Sequence, residues 1–295
     1  MQTPRRTFLR HAAIGTSLAA LSKLAVAQQA KSPSAKPGSL PVLFIGDGSP
    51  MNAISDNAFT QTLHRWGRRL PQPTAVLVVS AHWLSRGVTG VTAHEAPPTI
   101  HDFQGFPDEL QQMQYPAKGH PELARRAAAL IRSNAAIATD KWGLDHGTWT
   151  VLHHLYPDAS VPVFQVSIDY DKPAAFHHAA GRELAALREM GVLIIGSGNL
   201  VHNLRATEDF PDGLAASRPW AQNFDRAVKS ALAAGDEKAL LAYESLDREA
   251  RMAVPTPDHY WPFLYALGAG GRKPPATVFE GFQRGTLGMR CLQWA

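Results

Sequence analysis

Three apolar segments of the sequence are each followed by a side chain that can bind a metal or carry a proton. Asp47 comes directly after "PVLFIG", His82 follows "LVVSA", and His202 lies four residues after "GVLIIGSG". In an open parallel sheet the carboxyl ends of the strands converge on one crevice, so we expect these side chains to meet. Two imidazoles and one carboxylate on one face of a metal ion leave the opposite positions open. Non-haem iron(II) enzymes that use oxygen have this arrangement, and zinc accepts the same ligands.

Three more histidines are candidates for the same site. His259 stands in "PTPDHYWPFLYALG", where the prolines predict the start of an apolar helix and place His259 near its first turn. His146 stands in "WGLDHGTW", a glycine-containing turn between two tryptophans. His101 belongs to the proline-rich loop "HEAPPTIHDFQGFP", which we expect to cover the site and touch the substrate.

The other histidines, the serines and the single cysteine are not expected to belong to this site. The adjacent pairs His153–His154 and His177–His178 fall on predicted helices, where neighbours point in different directions, so we expect them on the surface, with His64 and His120. The serines of "GDGSP" and "GSGN" do not match the G-x-S-x-G turn of serine esterases. Because Cys291 is the only cysteine, an internal disulfide and a thiolate cluster are excluded, and any metal must use imidazole and oxygen.

The elements that must position these side chains alternate along the chain. The predicted strands are "PVLFI", "AVLVVS", "VTGVTA", "VPVFQVSI", "GVLII" and "ATVFEGF". Helical spacing occurs in "PELARRAAALIRSNA", "PAAFHHAAGRELAALREM" and "WAQNFDRAVKSALAAG". Continuous apolar strands are typical of a sheet covered on both faces. The sequence therefore predicts one three-layer α/β/α domain, residues 40–295, with a mostly parallel central sheet.

The first residues differ from the rest of the chain. Paired arginines in "TPRRTFLR" precede an interrupted apolar stretch that ends in "AVA", which predicts a twin-arginine export signal at residues 1–27. The stretch is shorter than the roughly 20 apolar residues of a membrane span, so we expect cleavage rather than a permanent anchor. Residues 28–39, "QQAKSPSAKPGS", read as a flexible linker. We therefore expect the twin-arginine machinery as a partner and the periplasm as the destination.

The net charge of +4 is accounted for by this leader. Four of the 29 basic residues lie in residues 1–27, so the remaining chain carries 25 basic and 25 acidic residues. A nucleic-acid partner requires a clustered positive surface, which this balance disfavours. A small-molecule substrate is the expectation.

Eight ordered segments from residue 41 onward resemble the DODA-type extradiol ring-cleavage dioxygenases, the class III or LigB-like group. They are "GDGSPMNAI", "VVSAHW", "PPTIHDFQGFP", "YPAKGHPELA", "WGLDHGTWTVL", "YPDASVPVFQVSID", "GSGNLVHNLR" and "TPDHYWPFLYALG". The resemblance implies cleavage of a catechol ring beside its paired hydroxyls by dioxygen, at iron(II) or zinc. Dihydroxyphenylalanine is the substrate that names the group.

The resemblance also implies roles for individual residues. The metal ligands fall on Asp47, His82 and His259. His202 becomes an acid/base group beside the metal, or a fourth ligand in zinc-occupied forms. His146 lines the same pocket and steadies the reduced oxygen.

One position departs from the family pattern, because the usual motif is "HGSP" and this chain has "DGSP". In one interpretation Asp47 is a competent oxygen ligand and activity is retained, which the survival of the other histidines favours. In the other, the shorter anionic side chain displaces the metal and activity is lost. A zinc-dependent hydrolase in the same cleft, or a non-catalytic homologue that binds a metal or a partner, are the alternatives that remain open.

Overall fold

The computed structural model describes residues 40–207 and 216–295. The predicted leader and linker, residues 1–39, lie outside the described residues, and their boundaries stay predictions. All described residues belong to one compact unit. Within the described ranges, no helix combines the length and the hydropathy that crossing a membrane requires.

An eight-stranded sheet forms the centre of the fold, with the strand order β4-β3-β5-β2-β6-β1-β10-β7. Its strands are β1 (Val42–Gly46), β2 (Ala75–Ser85), β3 (Thr89–Thr92), β4 (Ala136–Thr139), β5 (Val163–Asp169), β6 (Val192–Gly198), β7 (Ala276–Phe279) and β10 (Cys291–Trp294). The four central strands β5, β2, β6 and β1 are parallel. β10 and β7 continue the sheet in antiparallel pairing, and β3 meets β5 antiparallel. Strands β8 (Phe282–Gln283) and β9 (Leu287–Gly288) form a separate hairpin.

The central strands are apolar throughout because they are buried on both faces. Along β1, Val42 and Phe44 face one core cluster while Leu43 and Ile45 face the other. Each cluster is covered by its own set of helices, so the fold has three layers, as the sequence predicted.

The helices divide between these two faces. They are α1 (Ala58–Gly67), α2 (Asp108–Gln112), α3 (Pro121–Leu130), α4 (His146–Leu155), α5 (Ala174–Leu184), α6 (Pro219–Ala234), α7 (Glu237–Leu241), α8 (Ala250–Ala253) and α9 (Trp261–Gly270). Apolar side chains of α1 and α4 pack in one core cluster, and those of α3, α5, α6 and α9 pack in the other. Short 3-10 helices lie at Pro50–Ala53, Ala185–Met190, Leu204–Ala206 and Tyr243–Ser245.

The expectation that the paired histidines lie on the surface is wrong for three of them. His154, His177 and His178 are buried. The ring of His177 stacks on Trp261, and Nε2 of His178 lies 3.7 Å from a carboxylate oxygen of Glu237. The sequence pattern placed these histidines correctly on helices, α4 and α5. Other elements cover these helices more completely than the spacing of their apolar residues indicated.

Candidate metal centre

The glycines on either side of Asp47 explain why the apolar run of β1 stops at an acid. A side chain at Gly46 would place its Cβ 2.6 Å from the carbonyl oxygen of Gly288. Gly48 has a φ of 67°, in the left-handed region that favours glycine. The chain therefore turns sharply at the carboxyl end of β1, and the backbone N–H of Asp47 donates to the carbonyl oxygen of Gly198 on β6.

The Asp47 carboxylate is buried, and only one of its two oxygens has a hydrogen-bond partner among the described residues. It is 4% exposed, and its Oδ2 accepts a hydrogen bond of 3.0 Å from the Ser197 hydroxyl. Among the described residues its Oδ1 has no hydrogen-bond partner. Burial raises the pKa of Asp47, while His259 and His146 oppose that shift. A bound cation would supply the missing partner of this buried oxygen, and the nearby imidazoles could bind the same cation.

His82 lies in an irregular part of β2 rather than at its end. The pairing of β2 with β5 shifts register between Val79 and Leu84, and β-bulges of this kind re-aim side chains beside active sites. Nε2 of His82 lies 3.9 Å from Oδ2 of Asp47, and its Nδ1 lies 3.6 Å from Oδ2 of Asp102. Burial and the neighbouring imidazoles hold the pKa of His82 well below its usual value. The ring is therefore neutral, the form that binds metals.

His259 and His202 form a stacked pair beside His82. The turn before α9 carries His259, whose ring lies 5.0 Å from that of His82. Nδ1 of His259 donates to Oδ2 of Asp258 at 2.6 Å, which leaves its Nε2 free. The His202 ring stacks on His259 with centroids 3.5 Å apart. Burial, with a smaller contribution from His259, lowers the pKa of His202 to about 2, so this ring is also neutral.

His146 is the first residue of α4, directly after the N-cap Asp145. Its ring lies 3.8 Å from that of His82. Asp102 holds it at two points, because Oδ1 accepts from the backbone N–H and Oδ2 accepts from Nδ1, both at 2.9 Å. Burial alone would lower the pKa of His146, but the hydrogen bond and charge of Asp102 outweigh burial and raise it.

Asp102 is the site residue that the sequence analysis missed. Its carboxylate is 17% exposed, although its backbone is open to solvent. His82, Asp102 and His146 each offer a ligand atom within 4.8 Å of the other two, so they form a possible metal-binding group. The sequence feature that could have indicated Asp102 is its position directly after His101, in the loop that was predicted to cover the site.

His101 makes different contacts from those expected. Its Nε2 lies 2.9 Å from the carbonyl oxygen of Met113, and its ring packs against Phe103 and Trp149. Phe103 in turn contacts the His146 ring. His101 thus supports the loop that carries Asp102, and its contact with substrate stays a prediction.

Comparison with known proteins decides the family. Residues 40–287 match the family described as the catalytic LigB subunit of aromatic ring-opening dioxygenase. The chain belongs to the LigB family. The match covers every residue of the centre described above, from Asp47 to His259.

Named relatives agree with this LigB assignment. The chain is 47% identical to the 4,5-DOPA dioxygenase extradiol of Escherichia coli (strain K12) over 261 residues, which is 86% of this chain and 94% of the relative. It is 38% identical to the 4,5-DOPA dioxygenase extradiol of Beta vulgaris, covering 80% of this chain and 89% of the relative. A crystal structure of an uncharacterized Escherichia coli K12 protein has a TM-score of 0.75 and 41% identity, and covers 87% of this chain and 100% of that chain.

The LigB chain is therefore a dioxygenase of the extradiol type. Enzymes of this family are non-haem metal enzymes, and the gathered imidazoles and carboxylates fit such a centre. The orphaned Oδ1 of Asp47 and the neutral rings of His82 and His202 supply the observations that support the fit.

Proposed function

We propose that this protein cleaves a catechol-type aromatic, similar to DOPA, beside its paired hydroxyls with dioxygen at a bound iron(II) or zinc(II). The observation that carries the proposal is the unpartnered Oδ1 of buried Asp47, whose carboxylate lies beside the imidazoles of His82, His146 and His259. When bound, the metal would hold the catechol oxygens and dioxygen together and lower the cost of charge development.

We assign the metal ligands to Asp47, His82 and His259. The rings of His82 and His259 each have a carboxylate beside Nδ1, Asp102 at 3.6 Å and Asp258 at 2.6 Å. Metal-binding histidines commonly present one nitrogen to the metal and the other to a carboxylate or carbonyl. Both rings therefore have Nε2 available for the same ion.

The competing ligand group His82, Asp102 and His146 is less favourable. Both oxygens of Asp102 already accept hydrogen bonds from His146. Asp102 is therefore already partly satisfied and gains less from a metal than Asp47 does. Asp47 loses no hydrogen bond when its Oδ1 takes a ligand position, so the arrangement favours it.

His202 and His146 are assigned to proton movement. His202, whose ring stacks on His259, is assigned to accept a proton from the substrate hydroxyl and return it; this role requires the negative charge of the bound substrate to raise its low pKa. His202 is the candidate for a fourth ligand when zinc is bound. His146 has a raised pKa and can donate to developing negative charge on oxygen.

Trp83 directly follows His82 in the sequence, and Trp142 lies four residues before His146. The rings of Trp83 and Trp142 are parallel, with centroids 5.8 Å apart, and we assign them to the apolar wall of the substrate site. A hollow of about 560 Å³ opens beside Asp258, and Arg86 and Tyr170 also border it. His101, which packs on Phe103 beside the His146 ring, is a candidate substrate contact in this proposal.

The test is to load anaerobically purified protein with iron(II) and, separately, with zinc. A panel of catechols is then assayed for oxygen consumption and a coloured ring-opened product. Oxygen uptake in equal proportion to product supports the proposal. Ester or amide hydrolysis without oxygen uptake would identify a hydrolase, and an inactive protein that holds metal would identify a non-catalytic homologue.

We also propose export by the twin-arginine route to the periplasm, with cleavage after Ala27. The proposal rests on Arg5 and Arg6 and the apolar stretch that follows. Mass spectrometry of protein from periplasmic and cytoplasmic fractions tests it. A periplasmic form that begins at Gln28 is expected, and changing both arginines to lysine should retain the full-length form in the cytoplasm.

A further inference from the structure

A second pair of facing imidazoles lies outside the centre described above. Nδ1 of His154, on α4, is 3.1 Å from Nε2 of His64, on α1. Their ring planes are nearly perpendicular, at 85°. His154 is buried, whereas His64 is half-buried and can be reached from solvent. A third imidazole, His153, has its ring centroid 5.3 Å from that of His154.

The hydrogen bonds fix which nitrogen of His154 is free. Its Nε2 lies 2.7 Å from the carbonyl oxygen of Asn52, and a carbonyl oxygen can only accept. Nε2 therefore carries the proton, and Nδ1 directs a lone pair toward His64. Metal-binding histidines have this same arrangement, with one N–H held by a carbonyl and the other nitrogen facing the ion.

The spacing of the two nitrogens also suits a metal ion. With the usual zinc–nitrogen distance of roughly 2.0–2.1 Å, nitrogens 3.1 Å apart subtend about 100° at the ion, near the tetrahedral value. Metal binding requires His64 to move its proton from Nε2 to Nδ1, which a neutral ring can do, and to turn so that Nε2 points at the ion rather than at Nδ1 of His154. Imidazole donors select zinc, copper and nickel over magnesium and calcium.

We propose that His64 Nε2 and His154 Nδ1 bind a second divalent transition-metal ion, such as Zn²⁺, with water completing its coordination. Bound there, the ion links α1 to α4. His154 lies eight residues after His146 on α4, about 12 Å along the helix axis, so this ion is separate from the first centre.

The second site is connected to Asp47 through one residue. The carbonyl oxygen of Asn52 holds His154, and the side-chain Nδ2 of Asn52 donates to the carbonyl oxygen of Asp47 at 3.0 Å. Metal binding at His154 strengthens the first of these contacts by polarising the imidazole N–H. The second ion therefore acts on the turn that carries Asp47.

The experiment counts zinc per chain by equilibrium dialysis and elemental analysis, with micromolar free Zn²⁺. The intact protein is expected to bind two equivalents and His64→Gln one. His94→Gln, a change at another half-buried histidine, is the matched control and should keep two. Circular dichroism confirms that each variant is folded, and His64 is chosen because it is more exposed than His154.

His259→Gln separates this inference from the proposed function. It should lose the first equivalent and keep the second, and combining it with His64→Gln should remove both. If His259→Gln keeps two equivalents while His64→Gln keeps one, the ligand assignment at the first centre fails and the second site stands. Two equivalents in His64→Gln, or a single equivalent in the intact protein that His64→Gln retains, would overturn the second site.

Discussion

Replacing Asp102 with asparagine tests how the centre is organised. In the structure Oδ1 and Oδ2 of Asp102 accept from the backbone N–H and the Nδ1–H of His146, each at 2.9 Å. Asparagine has a single acceptor oxygen. If that oxygen keeps the backbone N–H, the amide NH₂ faces Nδ1 of His146, and the ring must move its proton to Nε2. The substitution therefore reverses the tautomer of His146 while preserving the shape of the loop.

The expected change in the pKa of His146 follows from the loss of its hydrogen bond to the charged Asp102 carboxylate. A hydrogen bond to a charged group contributes about 1.5–3 kcal/mol. At 1.36 kcal/mol per pKa unit, this corresponds to a fall of about one to two units in the pKa of His146. Burial, which already lowers this pKa, is then opposed only by more distant carboxylates such as Asp145 and Asp47. If protonated His146 is the active form, activity falls with rising pH at a lower pH than in the unchanged protein.

Nitrogen-15 NMR of the metal-free protein reports the tautomer and pKa of His146, and elemental analysis of the loaded protein reports its metal. We expect Asp102→Asn to keep at least half of the bound metal and to lose most of the turnover, with the altered tautomer visible. An unchanged tautomer and pKa would refute the positioning role of Asp102. Loss of the metal would instead make Asp102 a ligand and favour the His82–Asp102–His146 group.

Three further predictions concern Asp47 as a metal ligand, the space around the His82 ring and the free energy of unfolding. Asp47→Ala should weaken metal binding by roughly 100-fold or more, whereas Asp47→His should retain metal, as measured by competition with a chelator. Gly147→Ala should lower metal affinity, because the new Cβ would lie 2.7 Å from Cδ2 of His82; unchanged affinity would show that the ring has room to move. Arg290→Ala should lower the free energy of unfolding by about 3–5 kcal/mol in urea titration, because it leaves buried Asp225 without its two hydrogen bonds.

The central sheet was predictable because most of its strands are continuous apolar segments of the sequence. Continuous apolar runs such as "PVLFI" and "GVLII" became β1 and β6, which are buried on both faces. The carboxyl ends of β1 and β6 place Asp47 and His202 in one region, as expected for an open parallel sheet, whereas the irregular part of β2 places His82 there. The two strands of the central sheet that the patterns missed, β4 and β10, are four residues long, and neither has a long apolar run.

The carboxylates that orient the histidines were harder to predict. Asp102 reaches His146 across 44 positions of sequence, and its role depends on the path of a loop rather than on any local period. The burial of His154 likewise depends on α1 packing against α4, which brings residues 90 positions apart into contact. Helical periodicity identifies which residues share a face, but it does not identify what covers that face.

Asp47 differs from a histidine at this position by its negative charge. An imidazole ligand would add no charge, whereas Asp47 adds a negative charge in a site where burial already raises its pKa. A divalent cation relieves this cost directly, so the cation and the carboxylate stabilise each other more strongly here than a neutral ligand would. The same negative charge favours a more highly charged metal ion, which would lower the reduction potential of iron. Under the proposed ligand assignment the substitution favours retention of metal, and if the bound metal is iron it would make that iron easier to oxidise.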